Sequence, residues 1–213
     1  MRKIKRLVAL LTVSMFLIGV AATSSFPATR EEAFARLNAL SIAVGDTSGD
    51  PLYDKTFTRA EAAAIMVKLS GLNAQAINAA KGQTKFKDVP SSHWATGFIN
   101  LAVGSVIIQG YPDGTFKPDQ NVSYAELSAM LVGVLWYNLK LQGTWPSNVI
   151  SKAGELVLLD GVNVTDYNAA ALRSNVFLAV DNALDTKPLN QTKDGYEVDT
   201  KTLMERKFSV VVK

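Results

Sequence analysis

One pattern recurs along this chain at fixed spacing, and it restricts the fold more than any other feature. Gly45 and Gly110 each stand thirteen residues before a hydroxyl residue, which opens Thr58-Arg59-Ala60-Glu61 in one case and Ser123-Tyr124-Ala125-Glu126 in the other. Trp94 lies sixteen residues before Gly110, and Trp145 sixteen before Gly161. Past Gly161, Leu172-Arg173-Ser174-Asn175 opens a further apolar run. Thr58-x-x-Glu61 and Ser123-x-x-Glu126 are capping boxes, in which the hydroxyl accepts from the N3 amide and the Glu reaches back to the N-cap amide. Leu127, Met130, Leu131, Val134 and Leu135 then follow at helical spacing and make one apolar stripe. Ile65, Met66 and Leu69 do the same until Gly71 ends the run at a C′ position. Phe177, Val180 and Leu184 keep the stripe in the third copy, where the box is lost.

Ahead of each cap the pattern predicts a shorter helix and a turn. Ser91 or Ser92 is placed to cap a helix through Val103. Tyr111-Pro112-Asp113-Gly114 reads as a turn, with Pro fixing φ and Gly free to take positive φ. One helix–loop–helix unit cannot cover its own apolar face, whereas three stacked together can. The units run over about 29–72, 86–139 and 143–186; the second is the best formed and the third is eroded. Between the first two, the polar, Ala-rich stretch 73–85 is a linker with some helix. The tail 187–213 is expected to begin with a polar loop over Lys187–Lys193. A short helix over Thr200–Lys207 and a β-prone end over Phe208–Val212 follow, either opening a further region or pairing with something else.

Residues 1–22 have the form of a signal peptide. Arg2, Lys3, Lys5 and Arg6 precede an apolar run from Leu7 to Val20, and Val20-Ala21-Ala22 supplies small residues for cleavage. A spanning helix needs about 20 apolar residues, and no second long run follows, so the mature chain is expected to be exported without a membrane span. The leader holds four of the 22 basic residues and none of the 19 acidic ones, which leaves 18 against 19 and moves the net charge from +3 to about −1. With the basic excess confined to the leader, no nucleic-acid surface is indicated. The absence of cysteine excludes disulfides, thiolate metal sites and a lipoprotein anchor. Roughly 190 remaining residues can bury a core without such staples.

From Phe86 to Leu135 several motifs occur in one order. Phe86-Lys87-Asp88-Val89-Pro90 comes first, then His93-Trp94-Ala95 and an apolar helix. Gly110-Tyr111-Pro112-Asp113-Gly114-Thr115-Phe116-Lys117-Pro118 follows, then Ser123-Tyr124-Ala125-Glu126 and a second apolar helix. This order resembles an S-layer homology module, by which bacterial surface proteins hold non-covalently to the cell wall. The resemblance implies a mainly α fold of three helix–loop–helix repeats, packed as a pseudo-threefold bundle with grooves between neighbours and a short β-prone tail. It implies an anchor at the cell surface rather than an enzyme, working without a cofactor. Its expected partner is a pyruvylated secondary cell-wall polymer or peptidoglycan-linked glycan, with its own copies or other surface-layer subunits as further candidates.

In that family the Thr-Arg-Ala-Glu motif lines the groove that takes the pyruvylated sugar, whose ketal supplies a carboxylate. Arg59, next to Thr58, is the first candidate: an exposed early position in a capped helix, beside amides that favour anions, with a fork suited to a carboxylate. Arg173 holds the matching place in the third copy, either as a second ligand residue or as a solvated surface charge. Tyr124, beside Ser123, departs from the pattern; it can stack on a sugar or donate one hydrogen bond but cannot neutralise a carboxylate. Gly110 and Asp113 lie in the loop that borders the groove, and Asp113 serves either a sugar hydroxyl or its own turn. Glu61 and Glu126 are assigned to caps rather than to acid–base work.

His93, the sole histidine, reads as a packing or capping residue. Trp94 and Trp145 read as core anchors, with carbohydrate stacking as the alternative. Asp46, Ser48 and Asp50 start like a calcium loop, but Pro51 and Phe57 stand where that loop needs Gly and Glu. A structural scaffold that has lost glycan binding is the other functional reading. A wall hydrolase would need a carboxylate pair or metal site that the sequence does not present.

Overall fold

The computed structural model describes residues 28–208. The expected signal peptide, and residues 209–212 of the expected β-prone segment, lie outside them. The described chain is mostly helical. Helices α1 (Arg30–Ala39) and α2 (Arg59–Leu69) form a first pair, and a short α3 (Ala74–Ala79) sits in the linker. A second pair is α4 (Thr96–Gly104) and α5 (Tyr124–Val134); a 3₁₀ turn over Tyr137–Lys140 leads to the third, α6 (Ser147–Glu155) and α7 (Arg173–Leu184). An antiparallel hairpin of β1 (Leu189–Thr192) and β2 (Gly195–Val198) follows, with Leu189 opposite Val198, and then α8 (Leu203–Lys207). Among the described residues no helix is long and apolar enough to cross a membrane.

The capping chemistry sets most of the starts. Both expected boxes form, Thr58 with Glu61 and Ser123 with Glu126. Two more, Thr29 with Glu32 and Thr202 with Glu205, open α1 and α8. As expected, α7 starts at Leu172 without a side-chain cap. Three expectations need correction. The α4 helix does not begin at Ser91 or Ser92 but after Ala95, because residues 90–95 are spent in turns, where His93 Nδ1 accepts from the Ala95 amide at 3.2 Å. The stretch 187–193 is not a loop, since Leu189–Thr192 pairs in the hairpin and Leu189 N donates to Leu135 O at 2.9 Å. Trp94 and Trp145 are not core anchors: their relative exposures are 53% and 55%.

The outer helices α1, α4 and α6 end alike. Ile42 N reaches Leu37 O, Ile107 N reaches Ala102 O and Leu158 N reaches Ala153 O, each the long bond of a Schellman motif. The residue before each, Ser41, Val106 and Val157, is left-handed with φ of 59°, 58° and 57°. Ile42, Ile107 and Leu158 then bury completely or nearly so, which turns the chain back over the core.

Three short extended segments lead into α2, α5 and α7 and bond to one another in a closed ring. Phe57 N donates to Ala171 O at 3.1 Å, Ala171 N to Val122 O at 2.9 Å, and Val122 N to Phe57 O at 2.8 Å. Since all three residues are buried, the ring satisfies amides that water cannot reach. Helix packing runs in the same circular sense: α4 lies on α2, α6 on α5, and α1 on α7. The core is continuous through all three pairs and includes Phe116, Phe177, Met66 and Leu131.

Candidate functional site

Because α2, α5 and α7 start at the ring, their first turns meet the loop of the next pair. The free amides of each helix start are used there. Arg59 N donates to Gln120 O (2.8 Å) and Ala60 N to Pro118 O (3.0 Å). In the same way Arg173 N and Ser174 N donate to Lys55 O and Tyr53 O, and Tyr124 N and Ala125 N to Ala169 O and Tyr167 O. With the N3 amides of α2 and α5 held by cap hydroxyls, these starts offer an anion little beyond the side chains. The expectation of anion-favouring amides beside Arg59 is corrected accordingly.

Arg59 itself is not exposed but 4% accessible. Its Nε donates to Phe116 O at 2.8 Å, one terminal nitrogen to Glu126 Oε1 at 2.9 Å and the other to Gln109 O at 3.4 Å. The guanidinium lies over the rings of Tyr111 and Phe116, at 4.6 and 5.0 Å. Arg173 repeats this set at another junction, also buried: Nε to Pro51 O at 2.8 Å, then Glu61 Oε1 at 3.4 Å and Val44 O at 3.3 Å. Gln109 and Val44 each immediately precede a repeated glycine, Gly110 and Gly45, and Phe116 and Pro51 each lie six residues after it. Burial pulls the Arg173 guanidinium below its ordinary value, with Glu61 opposing.

At the third junction both partners change together. Tyr124, buried, takes the place of the arginine, and Asn175, at the N3 position of α7, takes the place of the glutamate. Asn175 Nδ2 donates to the Tyr124 hydroxyl at 2.5 Å. The tyrosine therefore faces the one inner helix that lacks an N3 carboxylate.

Arg59 sits at the base of a groove of about 870 Å³ between the second and third pairs. One wall is the loop from Val106 to Pro112 with the outer face of α5; the other is α6 with Trp145, Asn148 and Val149, and Asn168 with Ala170 beyond. The Tyr111 hydroxyl donates to Glu126 and accepts from Gln120 Nε2 at 3.2 Å. Burial first, and the Glu126 carboxylate second, push the Tyr111 phenol up to about 12, so it stays a donor. Tyr111 and Asn148 carried no sequence signal for this site; Trp145, whose alternative reading was carbohydrate stacking, does line the groove, whereas Trp94 does not.

The other sequence candidates divide. Gly110 and Ser123 line the groove. A Cβ on Gly110 would stand 2.1 Å from a Phe86 ring carbon, so the missing side chain is a packing requirement. Thr58, Asp113, Tyr124 and Arg173 do not line it. Thr58 caps α2, and Asp113 Oδ1 accepts from the Thr115 amide (2.9 Å) and hydroxyl (2.6 Å), which secures its own turn. Asp46 does likewise for Ser48 and Asp50. Trp94 is stacked with His93 on the surface, ring centroids 5.8 Å apart.

Comparison with known proteins gives the same direction. Residues 85–128 match the family model of the S-layer homology domain. A middle cell wall protein of Brevibacillus brevis is 38% identical over 200 residues, 91% of this chain and 19% of that protein. A surface layer protein of Brevibacillus choshinensis is 37% identical over 190 residues, 87% of this chain and 17% of that protein. A cellulosome-anchoring protein of Acetivibrio thermocellus is 39% identical over 77 residues, 36% of this chain and 17% of that protein. This chain thus spans about a fifth of the length of the relatives it matches.

Proposed function

We propose that this chain is a wall-anchoring module at the cell surface, made of three S-layer homology repeats about a pseudo-threefold axis. Its groove at Arg59 takes an anionic, pyruvylated sugar of a secondary cell-wall polymer. The observation that carries this reading is a groove with one arginine at its base, an exposed tryptophan on its wall and the amides of Asn148 and Asn168 around it. An indole face stacks on a sugar ring, amides hydrogen-bond hydroxyls, and the guanidinium answers a carboxylate. The match over residues 85–128 and the circular packing support it. Arg173, with the same set of contacts, is the second candidate for a ligand carboxylate, while at the third junction Tyr124 takes the arginine's place.

Co-sedimentation of the chain from Thr23 onward with purified wall sacculi, before and after chemical removal of the polymer, tests the reading. The chain pellets with intact sacculi and stays in solution once the polymer is gone. Trp145→Ala weakens binding about tenfold, the worth of one stacking contact of roughly 1.5 kcal/mol, and leaves thermal stability unchanged because the ring is exposed. Arg59→Ala is a poorer probe, since it strands a partly buried Glu126 and costs on the order of 3 kcal/mol of stability. Binding that survives polymer removal and ignores Trp145→Ala refutes the proposal.

One observation favours a second reading. Arg59 and Arg173 are buried and neutralised by Glu126 and Glu61 of neighbouring helices, as clasps of a scaffold would be. A scaffold alone leaves both wall preparations unbound.

A further inference from the structure

The groove's titratable lining is unusually small. Arg59 is its one cation, Glu126 its one carboxylate, and Tyr111 the one other group that titrates. Glu126 is fully engaged: Oε2 accepts from the Ser123 amide at 2.9 Å, and Oε1 accepts from both Arg59 and the Tyr111 hydroxyl. Lys117 stands behind the Tyr111 ring, its Nζ 4.1 Å from the ring centroid, and the wall facing it across the groove, with Trp145, Asn148, Val149 and Asn168, carries no titratable side chain. The ligand-free groove is therefore electrically neutral, its arginine already matched. We propose, on the reading that this groove is the glycan site, that Glu126 couples binding of a ligand carboxylate to uptake of one proton and so decides which charge state of a ligand the groove accepts.

The reason is electrostatic. A carboxylate brought to Arg59 places two anions on one guanidinium that is 4% accessible. Two carboxylates so close, with little water between them, do not both stay ionised. A proton drawn from solvent onto the pair removes the repulsion and leaves a short O–H···O⁻ hydrogen bond between ligand and Glu126. On release the proton returns to solvent. An uncharged sugar needs no proton and is indifferent to Glu126.

Titration calorimetry on the chain decides this, with a methyl glycoside bearing a pyruvate ketal as probe and its neutral methyl ester as control. Each is measured at mildly acidic and at neutral pH, in two buffers of different protonation enthalpy. The acid probe takes up close to one proton per molecule bound, and its affinity rises by up to about tenfold per pH unit on acidification. The ester shows neither effect. In Glu126→Gln, whose amide oxygen still accepts from the Ser123 amide, the acid probe binds without proton uptake, independently of pH, and more tightly at neutral pH than in the unaltered chain. If that variant does not fold, the proton count of the unaltered chain decides alone. Acid-probe binding with no proton uptake, or the same uptake in Glu126→Gln, overturns the proposal while leaving the anchor reading intact. Failure of both probes at either pH, with sacculi unbound as well, overturns both.

Discussion

Arg59, Arg173 and Tyr124 occupy the same first turn of three helices, and each is answered by the N3 residue of the next inner helix. The answers are Glu126, Glu61 and Asn175. A charge buried here needs its counter-charge within reach, so a single change at either position is costly and a matched change is not. The Tyr124–Asn175 junction has made the matched change, trading an ion pair for a neutral hydrogen bond. Tyr124→Arg alone should destabilise by about 3 kcal/mol, because its guanidinium meets an amide. Adding Asn175→Glu should recover most of that, with a coupling on the order of 2 kcal/mol in a double-mutant cycle read by denaturant unfolding. Additive losses would show that the junctions do not work as paired positions. The place of Arg59 in the first turn of a capped helix was legible from Thr58-Arg59-Ala60-Glu61. Its burial and its partner were not, because Glu126 lies 67 residues away and already had a visible local role in its capping box.

At the scale of elements, what could be read in advance was what the local chain dictates. The boxes at Thr58 and Ser123, the stop at Gly71 with φ of 79°, and the left-handed Gly114 all follow from side chains a few residues apart. The start of α4 was missed because Ser91 and Ser92 offer a cap that the turns around His93 override. The hairpin was missed because Leu189–Thr192 carries one apolar residue and pairs through its backbone. The three Schellman ends were invisible for another reason: the left-handed position holds Ser41, Val106 and Val157 rather than glycine. A β-branched residue there is strained, by roughly 1–2 kcal/mol, and nothing in the structure explains the valines. Val157 is 59% exposed, so its side chain contributes little packing. Val157→Gly should therefore stabilise the fold by up to about 1 kcal/mol, after the added freedom of the unfolded chain is set against the relieved strain. A rise of a few degrees in melting temperature is the expected sign; a fall would mean that the valine contributes packing at this helix end.

For the molecule as a whole, the ring must be closed by residues far apart in sequence, since the chain itself is open. The closing contact is α1 on α7, where Arg36 reaches Asp185 with two bonds of 2.8 and 2.7 Å and Asp181 with one of 3.3 Å. Asp181 is nearly inaccessible, and burial pushes its carboxyl up to about 6 despite Arg36. The folded state then holds that proton more tightly than the unfolded chain, whose carboxyl titrates near 3.8. Protonation favours the fold: this group's contribution to stability grows as pH falls through 6 and is complete below 3.8. Above 6 the fold carries the full cost of a buried, under-compensated charge, up to about 3 kcal/mol at 1.36 kcal/mol per unit. Asp181→Asn removes that cost while Arg36 keeps both bonds to Asp185. The variant should therefore be more stable than the unaltered chain at neutral pH, with the difference closing towards pH 4, in melting curves taken across that range. A variant less stable at neutral pH would mean that the Arg36–Asp181 attraction outweighs the desolvation, and that ring closure depends on the ion pair itself.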